Sequence, residues 1–251
     1  TQMFTDNAVI LVDSDSIYFR MACVTKKKKD IRVGIDHTMK EIQQNCGSDK
    51  FLVAIKGRGN FRKEIYSDYK STRKELDEDV KEALNYGHQY MVDKHNAVEA
   101  DDMEADDLVS IWAAECRDVD QEYTVVGIDK DLLQIPGTHY NFVKKELTEV
   151  SEDTADLKLM LQCLTGDRSD NIPGIKGIGP KKAEKLLKGV PMHRRWNRVR
   201  AAWRANAAGD PEISKRLLTM LTSWEELDDI KKQIEEYKSK KQASVHRNIE
   251  D

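Results

Sequence analysis

Eight carboxylates stand where they could act together: Asp13, Glu104, Asp106, Asp107, Asp129, Asp131, Asp167 and Asp170. Three of them fall within Glu104-Ala105-Asp106-Asp107, and Asp129/Asp131 and Asp167/Asp170 form two further pairs. Glu104 and Asp107 are three apart at the start of a helical pattern, which predicts a shared face. Capping and the helix dipole would account for one or two acids there, at about 0.3–1 kcal/mol each. They do not account for three acids in four residues, nor for the acids elsewhere. Carboxylates held close together raise one another's pKa unless cations neutralise them. Hard, oxygen-seeking Mg²⁺ or Mn²⁺ ions suit that role and keep several waters of their own. The group therefore reads as a divalent-metal site.

A second signal is Gly174-Ile175-Lys176-Gly177-Ile178-Gly179-Pro180, followed by Lys181, Lys182 and Lys185. The glycines permit a tight turn, Gly177 in a conformation that a Cβ would forbid. The helix opening at Pro180 would offer free amides to a phosphate, with the lysines adding charge. This reads as the hairpin of a helix–hairpin–helix; the plainer reading is a structural helix–turn–helix. In the stretch Phe61 to Lys74, Arg62, Lys70 and Arg73 interleave with Tyr66 and Tyr69. That pattern suits a bent or single nucleic-acid strand, and equally a solvated face. From His193 to Arg204, Trp196, Val199 and Trp203 recur at helical spacing, which points to packing, with the arginines left for a nucleic-acid backbone.

The elements that must position these residues can be read from the apolar pattern. Ala8 to Val12 and Tyr123 to Ile128 are apolar runs that each lead into an aspartate, Asp13 and Asp129, as buried parallel strands do. Phe51 to Ile55 is a third such run, and Tyr90 to Val92 is expected as a short strand. Helices are expected after Asp13 to about Cys23 and over Ile35–Cys46, Ala105–Cys116, Leu157–Leu164 and Pro180–Leu187, with Lys26–Lys29 a loop and helices from Pro191 onward. The polar stretch from Lys56 to about Tyr86 has little to bury and is expected to be functional. Strands alternating with helices predict an α/β core with a mainly parallel sheet flanked by helices, its ligand crevice at the carboxyl ends of the strands.

The chain has 251 residues, 34 % of them charged, with a net charge of −4. Bulk charge does not announce a nucleic-acid binder, yet the acids and bases are segregated, with basic residues crowding Arg58–Lys74, Lys176–Lys188 and Arg194–Arg204. No run reaches the roughly 18 apolar residues of a membrane span. Thr1 to Asp6 carry no signal-peptide pattern. Cys23, Cys46, Cys116 and Cys163 lack metal spacing and are expected as buried, reduced thiols, consistent with a cytoplasmic protein.

Together the motifs resemble the 5′-nuclease superfamily of flap endonucleases, the 5′-nuclease domain of bacterial DNA polymerases and the bacteriophage 5′–3′ exonucleases. The resemblance runs from about Val9 to Leu187. It rests on Asp13 after the first strand, Phe61-Arg62 before Tyr69-Lys70 and Arg73, Glu104 to Asp107, Asp129-Lys130-Asp131, and Asp167 to Gly174 leading into the hairpin. The tetrapeptide also occurs as Glu99 to Asp102, and the later copy is chosen because an apolar helix follows it directly. The resemblance implies one domain over residues 1–165, with a helical arch at about 57–88, and a helix–hairpin–helix region over 166–251. It implies two Mg²⁺ or Mn²⁺ ions among the eight acids, with Lys70 and Arg73 as catalytic cations on the arch wall that neutralise charge building on the phosphate. Arg62, Tyr69, Gly174, Gly177, Gly179, Lys181 and Lys182 are implied to contact DNA, and backbone around Ile175 and Ile178 to hold K⁺. The implied substrates are 5′-flap, nicked or branched DNA and RNA–DNA hybrids, cut by a monomer, and the chain length resembles the phage replication enzymes. In one departure, Ile55-Lys56 stands where relatives carry an aspartate after the second strand. A weakly active DNA-binding protein of this fold and a single-strand ribonuclease are the rival readings.

Overall fold

The structure is a computed structural model that describes residues 8–247. The expectation for Thr1 to Asp6 therefore lies outside the described residues. Six strands form one sheet: β1 (Val9–Asp13), β2 (Phe51–Lys56), β3 (Val98–Ala100), β4 (Tyr123–Val126), β5 (Gly137–Asn141) and β6 (Glu146–Val150). Their order is β3-β2-β1-β4-β5-β6, with β6 antiparallel and the other pairings parallel. Ten α-helices are described: α1 (Asp15–Val24), α2 (Lys28–Cys46), α3 (Phe61–Ile65), α4 (Glu78–His95), α5 (Ala105–Asp118), α6 (Glu152–Thr165), α7 (Pro180–Leu187), α8 (Met192–Ala205), α9 (Pro211–Leu218) and α10 (Trp224–Arg247).

Side chains that alternate along the strands supply two separate cores. Ile10, Val12, Val53, Ile55 and Val126 face α1, α2 and α4, while Leu11, Ala54 and Val125 face α5 and α10. A parallel sheet buried on both faces is what the unbroken apolar runs require. A third cluster gathers α6, α7, α8 and α9 around Cys163, Leu164, Val199 and Trp203. Trp203 donates its indole N–H to the carbonyl of Cys163 at 2.9 Å, so the expected tryptophan packing is present there.

The sheet reverses its winding between β1 and β4, which lie side by side with Val12 opposite Val126. Asp13 ends β1, and Asp129 follows β4 by three residues. Strand order thus opens a crevice at the edge where both aspartates emerge.

Several expectations need correction. Tyr90 to Val92 lies inside α4 and not in a strand. Ala83, Gly87 and Met91 recur every fourth residue on its buried face, a helical period that a three-residue reading misses. Lys28 and Lys29 belong to the first turn of α2, because its apolar stripe begins at Ile31. The stretch 57–88 divides at Glu78: before it only α3 is helical, and after it α4 packs against the core. Cys46, Cys116 and Cys163 are buried, but Cys23 is exposed. Around the expected division at residue 165, α6 contributes to the third cluster, and Met220, Leu221, Leu227 and Ile230 pack into the cluster on the α5 face of the sheet.

Candidate active site

A cleft of about 500 Å³ lies at the crevice, lined by Asp13, Asp15, Lys70, Arg73, Glu104, Asp106, Asp129 and Lys130, with Ser16, Ala105 and Ile128. β1 delivers Asp13, the first turn of α1 Asp15, the start of α5 Glu104 and Asp106, and the loop after β4 Asp129. A Cβ built on Gly127 would lie 3.6 Å from that of Asp13. The two strand ends are therefore close neighbours. Asp129 is fixed by accepting from the Asp131 backbone N–H at 2.9 Å.

The tetrapeptide divides its labour. Glu104 is the N-cap of α5 with an extended backbone, and Asp107 folds back to accept from the Glu104 N–H at 3.1 Å. Asp107 is fully buried. It forms a two-pronged pair with Arg62, at 2.5 and 2.8 Å, and accepts from the Leu221 N–H at 3.0 Å. Arg62 is also buried and donates to the carbonyls of Leu217 and Thr219. Asp107 therefore does not line the cleft with Asp13, Glu104, Asp106 and Asp129, and Arg62 is buried and not at the surface. Together they pin the base of the basic segment to the C-terminal helices. Tyr69 is buried too, and its hydroxyl donates to Glu104 at 2.8 Å and Asp170 at 3.2 Å. It positions acids and does not meet solvent.

Lys70 and Arg73 reach the acids directly. Lys70 pairs with Glu104 and lies 3.6 Å from Asp170, while Arg73 donates to Asp170 at 2.7 Å. Lys70 adopts a left-handed backbone, φ 58°, uncommon for a residue with a Cβ. Its N–H donates to the Asp170 carbonyl at 2.9 Å, tying this turn to the loop that bears that acid. Asp131, Asp167 and Asp170 do not line the cleft with the other acids. Asp131 accepts from Gln162 at 2.6 Å. Asp167 is buried, accepting from Ser169 N–H and hydroxyl on one oxygen and from Lys130 at 3.1 Å on the other. Lys130 thus stands between the cleft and this second acidic pair.

The electrostatics separate the acids. Burial, then the charges of Asp15, Asp129 and Glu104, raises the Asp13 carboxyl well above the ordinary range. Burial, followed by Asp107 and Glu104, does the same to Asp106. Burial and Asp129 raise Asp131. For Glu104 the burial penalty is outweighed by Lys70 and Arg62, so it falls below its usual value. The Asp106 Oδ1 atom is shielded from solvent and has no hydrogen-bond partner. An orphaned carboxylate oxygen beside repelling acids, in an all-oxygen donor set, fits a hard divalent ion. Among the described residues no three His, Cys, Asp or Glu side chains form a protein-only cage. Mg²⁺ needs none, because it binds through one or two carboxylates and retains waters.

The sequence reading missed Asp15, which lines the cleft from the start of α1. A signal was present in the spacing Asp13-Ser14-Asp15. The earlier tetrapeptide copy lies elsewhere: Asp101 accepts from the Arg58 N–H and Asp102 from Lys231.

The hairpin lies apart from the cleft. Gly177 has φ +80° with open space around it, as its expected conformation requires. At Gly174 a Cβ would strike the Thr165 backbone at 2.1 Å, so only glycine lets these segments meet. Gly179 is the N-cap of α7, with Pro180 in its first turn and Lys181 and Lys182 exposed. Ile175 is buried and Ile178 half-buried; the Ile178 N–H donates to the Ile175 carbonyl at 3.0 Å, and Lys182 donates to the Gly177 carbonyl at 2.8 Å. A groove of about 510 Å³ is lined by Lys176, Gly177, Lys182, Lys185 and Arg198 among others.

Fold and site define an α/β protein with an acid-lined, base-rimmed cleft at its topological switch point. The chain belongs to the family described as 5′-3′ exonuclease, N-terminal resolvase-like domain, which matches residues 8–160. Flap endonuclease Xni of Shewanella piezotolerans is 33% identical over 150 residues, 54% of this chain and 58% of that protein. DNA polymerase I of Rhizobium leguminosarum is 33% identical over 143 residues, 51% of this chain. The chain spans only 14% of that polymerase. The bacteriophage T5 flap endonuclease, in a pseudo-enzyme-product complex with DNA and metal ions, shares the fold with a TM-score of 0.65 at 18% identity. The match covers 91% of this chain and 98% of that one. No described helix is long and apolar enough to cross a membrane.

Proposed function

We propose that this chain is a divalent-metal-dependent 5′-nuclease that hydrolyses DNA phosphodiesters at or near 5′ ends. It acts as a 5′–3′ exonuclease and a 5′-flap endonuclease, on flap, nicked or branched DNA and on RNA–DNA hybrids. The observation that carries this reading is the single cleft with Asp13, Glu104, Asp106 and Asp129 on its walls and Lys70 and Arg73 at its rim.

Those four acids would hold the ions, with Asp131, Asp167 and Asp170 toward the second. A pair of bound Mg²⁺ or Mn²⁺ ions supplies a water of lowered pKa and Lewis-acid stabilisation of the leaving oxygen. Lys70 and Arg73, now on Glu104 and Asp170, have the reach and charge to neutralise a phosphate entering the same cleft. Tyr69 holds Glu104 and Asp170 in place for that exchange. The hairpin, with Gly174, Gly177, Gly179, Lys181 and Lys182, grips duplex backbone without reading sequence, and K⁺ at the carbonyls of Ile175 to Ile178 would reinforce it. The family of the chain and the DNA- and metal-bound T5 enzyme of the same fold support the reading. A monomer working in phage DNA replication and primer removal, in the host cytoplasm, completes it.

The test is digestion of end-labelled 5′-flap, nicked and RNA–DNA hybrid substrates with and without Mg²⁺, for the natural chain and Asp129→Asn. The substitution is expected to abolish cleavage while DNA binding stays within a few fold. Near-normal turnover of Asp129→Asn at saturating Mg²⁺ would remove that residue from the metal site. Mg²⁺-independent cleavage by the natural chain would end the metal mechanism.

A further inference from the structure

The departure at Ile55-Lys56 acquires a meaning from its surroundings. Ile55 is wholly buried among the apolar side chains under α1, α2 and α4, and Lys56 is exposed at the end of β2. Neither supplies an acid to the crevice from that strand. Yet a carboxylate sits on this strand end, brought there by a different element. Asp15 accepts from the Lys56 backbone N–H at 2.9 Å, a contact across 41 residues, and from the Tyr18 hydroxyl at 3.2 Å.

Both bonds fall on Oδ1, which leaves Oδ2 for a ligand. Asp15 lines the same cleft as Asp13, Glu104, Asp106 and Asp129. It also lines the adjoining groove with Lys56, Arg73 and His88. A helix-start acid needs none of this. The dipole of α1 would be served as well by a side chain turned to solvent, whereas Asp15 is clamped by β2 and Tyr18 against other acids. There it repels Asp13 and lies near Glu104, with the Lys56 charge as partial compensation, and a cation in the cleft would relieve the remaining repulsion.

We propose that Asp15 is a metal ligand, direct or through one water, on the β2 side of the cleft, supplying from α1 the carboxylate that β2 lacks. The assignment rests on the metal-nuclease reading above. It also explains how a lysine is tolerated at 56: its backbone N–H fixes Asp15, and its side-chain charge offsets part of the repulsion among the acids.

The test compares the full chain with Asp15→Asn, without DNA, by calorimetric titration with Mn²⁺ and by melting in EDTA and in Mg²⁺. Asparagine keeps the Oδ1 acceptor and removes the charge. Divalent affinity is expected to fall about tenfold or more. The melting temperature in EDTA should hold or rise, the gain on adding Mg²⁺ should shrink, and Lys56→Asp in the Asp15→Asn background should recover affinity. Mn²⁺ affinity within twofold of the natural chain, or a lower melting temperature in EDTA with affinity intact, would overturn the proposal and leave Asp15 a helix-start residue. Should Asp15→Asn not fold, Asp15→Glu and Asp15→Gln repeat the comparison at matched size, and equal affinities would again overturn it. If the natural chain itself binds no Mn²⁺, the metal reading as a whole fails, a result distinct from failure of Asp15 alone.

Discussion

Asp106 and Asp107 are neighbours with opposite fates. Asp107 is sealed against Arg62, and removing one partner of such a pair strands the other charge in the interior. Asp107→Asn is therefore expected to destabilise the protein by about 3–5 kcal/mol in urea denaturation. The molecules that remain folded should keep the natural Mg²⁺ concentration at half-maximal rate; a marked rise there would return Asp107 to the metal site. Lys70→Ala should act differently: if its charge serves the reacting phosphate as proposed, the single-turnover rate falls far more than binding weakens. A loss of affinity alone would make it a plain backbone contact. The sequence marked the tetrapeptide as chemical but could not divide it. Spacing of three implies a common face only within a helix, and Glu104 stands outside α5 with an extended backbone. The spacing Asp13-Ser14-Asp15 was visible in the sequence, but the place of Asp15 at the cleft depends on β2, 41 residues away.

At the scale of elements, the strands bearing Asp13 and preceding Asp129 were legible because burial on both faces leaves continuous apolar runs. The helix α4 was read poorly at Tyr90 to Val92, where three residues cannot display a period of four. The glycine-rich turn before α7 was legible in its residues, and its two kinds of glycine give a matched test. Gly177 has φ +80°, while Gly179 has φ −93° and open space. Gly177→Val is expected to weaken duplex binding several fold and to spare single-strand binding, whereas Gly179→Ala, which adds a Cβ without backbone strain, should weaken duplex binding less. Titrations on duplex and single-stranded oligonucleotides check both; equal losses on the two ligands for Gly177→Val would mean a broken fold and not a lost anchor.

Across the whole molecule the carboxylates pull stability in two directions. Asp13 and Asp106 have raised carboxyl pKa values through burial and like charges. Their contribution is present below the ordinary carboxylate range near 4 and is lost as the pH rises through the raised values. Asp167 is buried too, but Ser169 and Lys130 outweigh that and lower its pKa. Glu104 is likewise lowered. These two contribute above the ordinary range and fail as the solution turns acid. In EDTA, the melting temperature is expected to decline on the alkaline side of an optimum, and Mg²⁺ should restore more there than in acid. Asp106→Asn should flatten that alkaline decline in EDTA; an unchanged profile would mean that Asp106 keeps no raised pKa. The Arg62–Asp107 pair carries a further consequence, for timing. Arg62 is bonded to carbonyls 155 and 157 residues further on, and Asp107 to an N–H 114 residues further on. Closing such long loops is slow compared with forming α5 or the adjoining strands. During synthesis the aspartate-bearing crevice can therefore assemble while Arg62 and Asp107 still await Leu217 to Leu221. A nascent chain should gain its sheet first, and the base of its basic segment should become anchored only once Leu217 to Leu221 have been made.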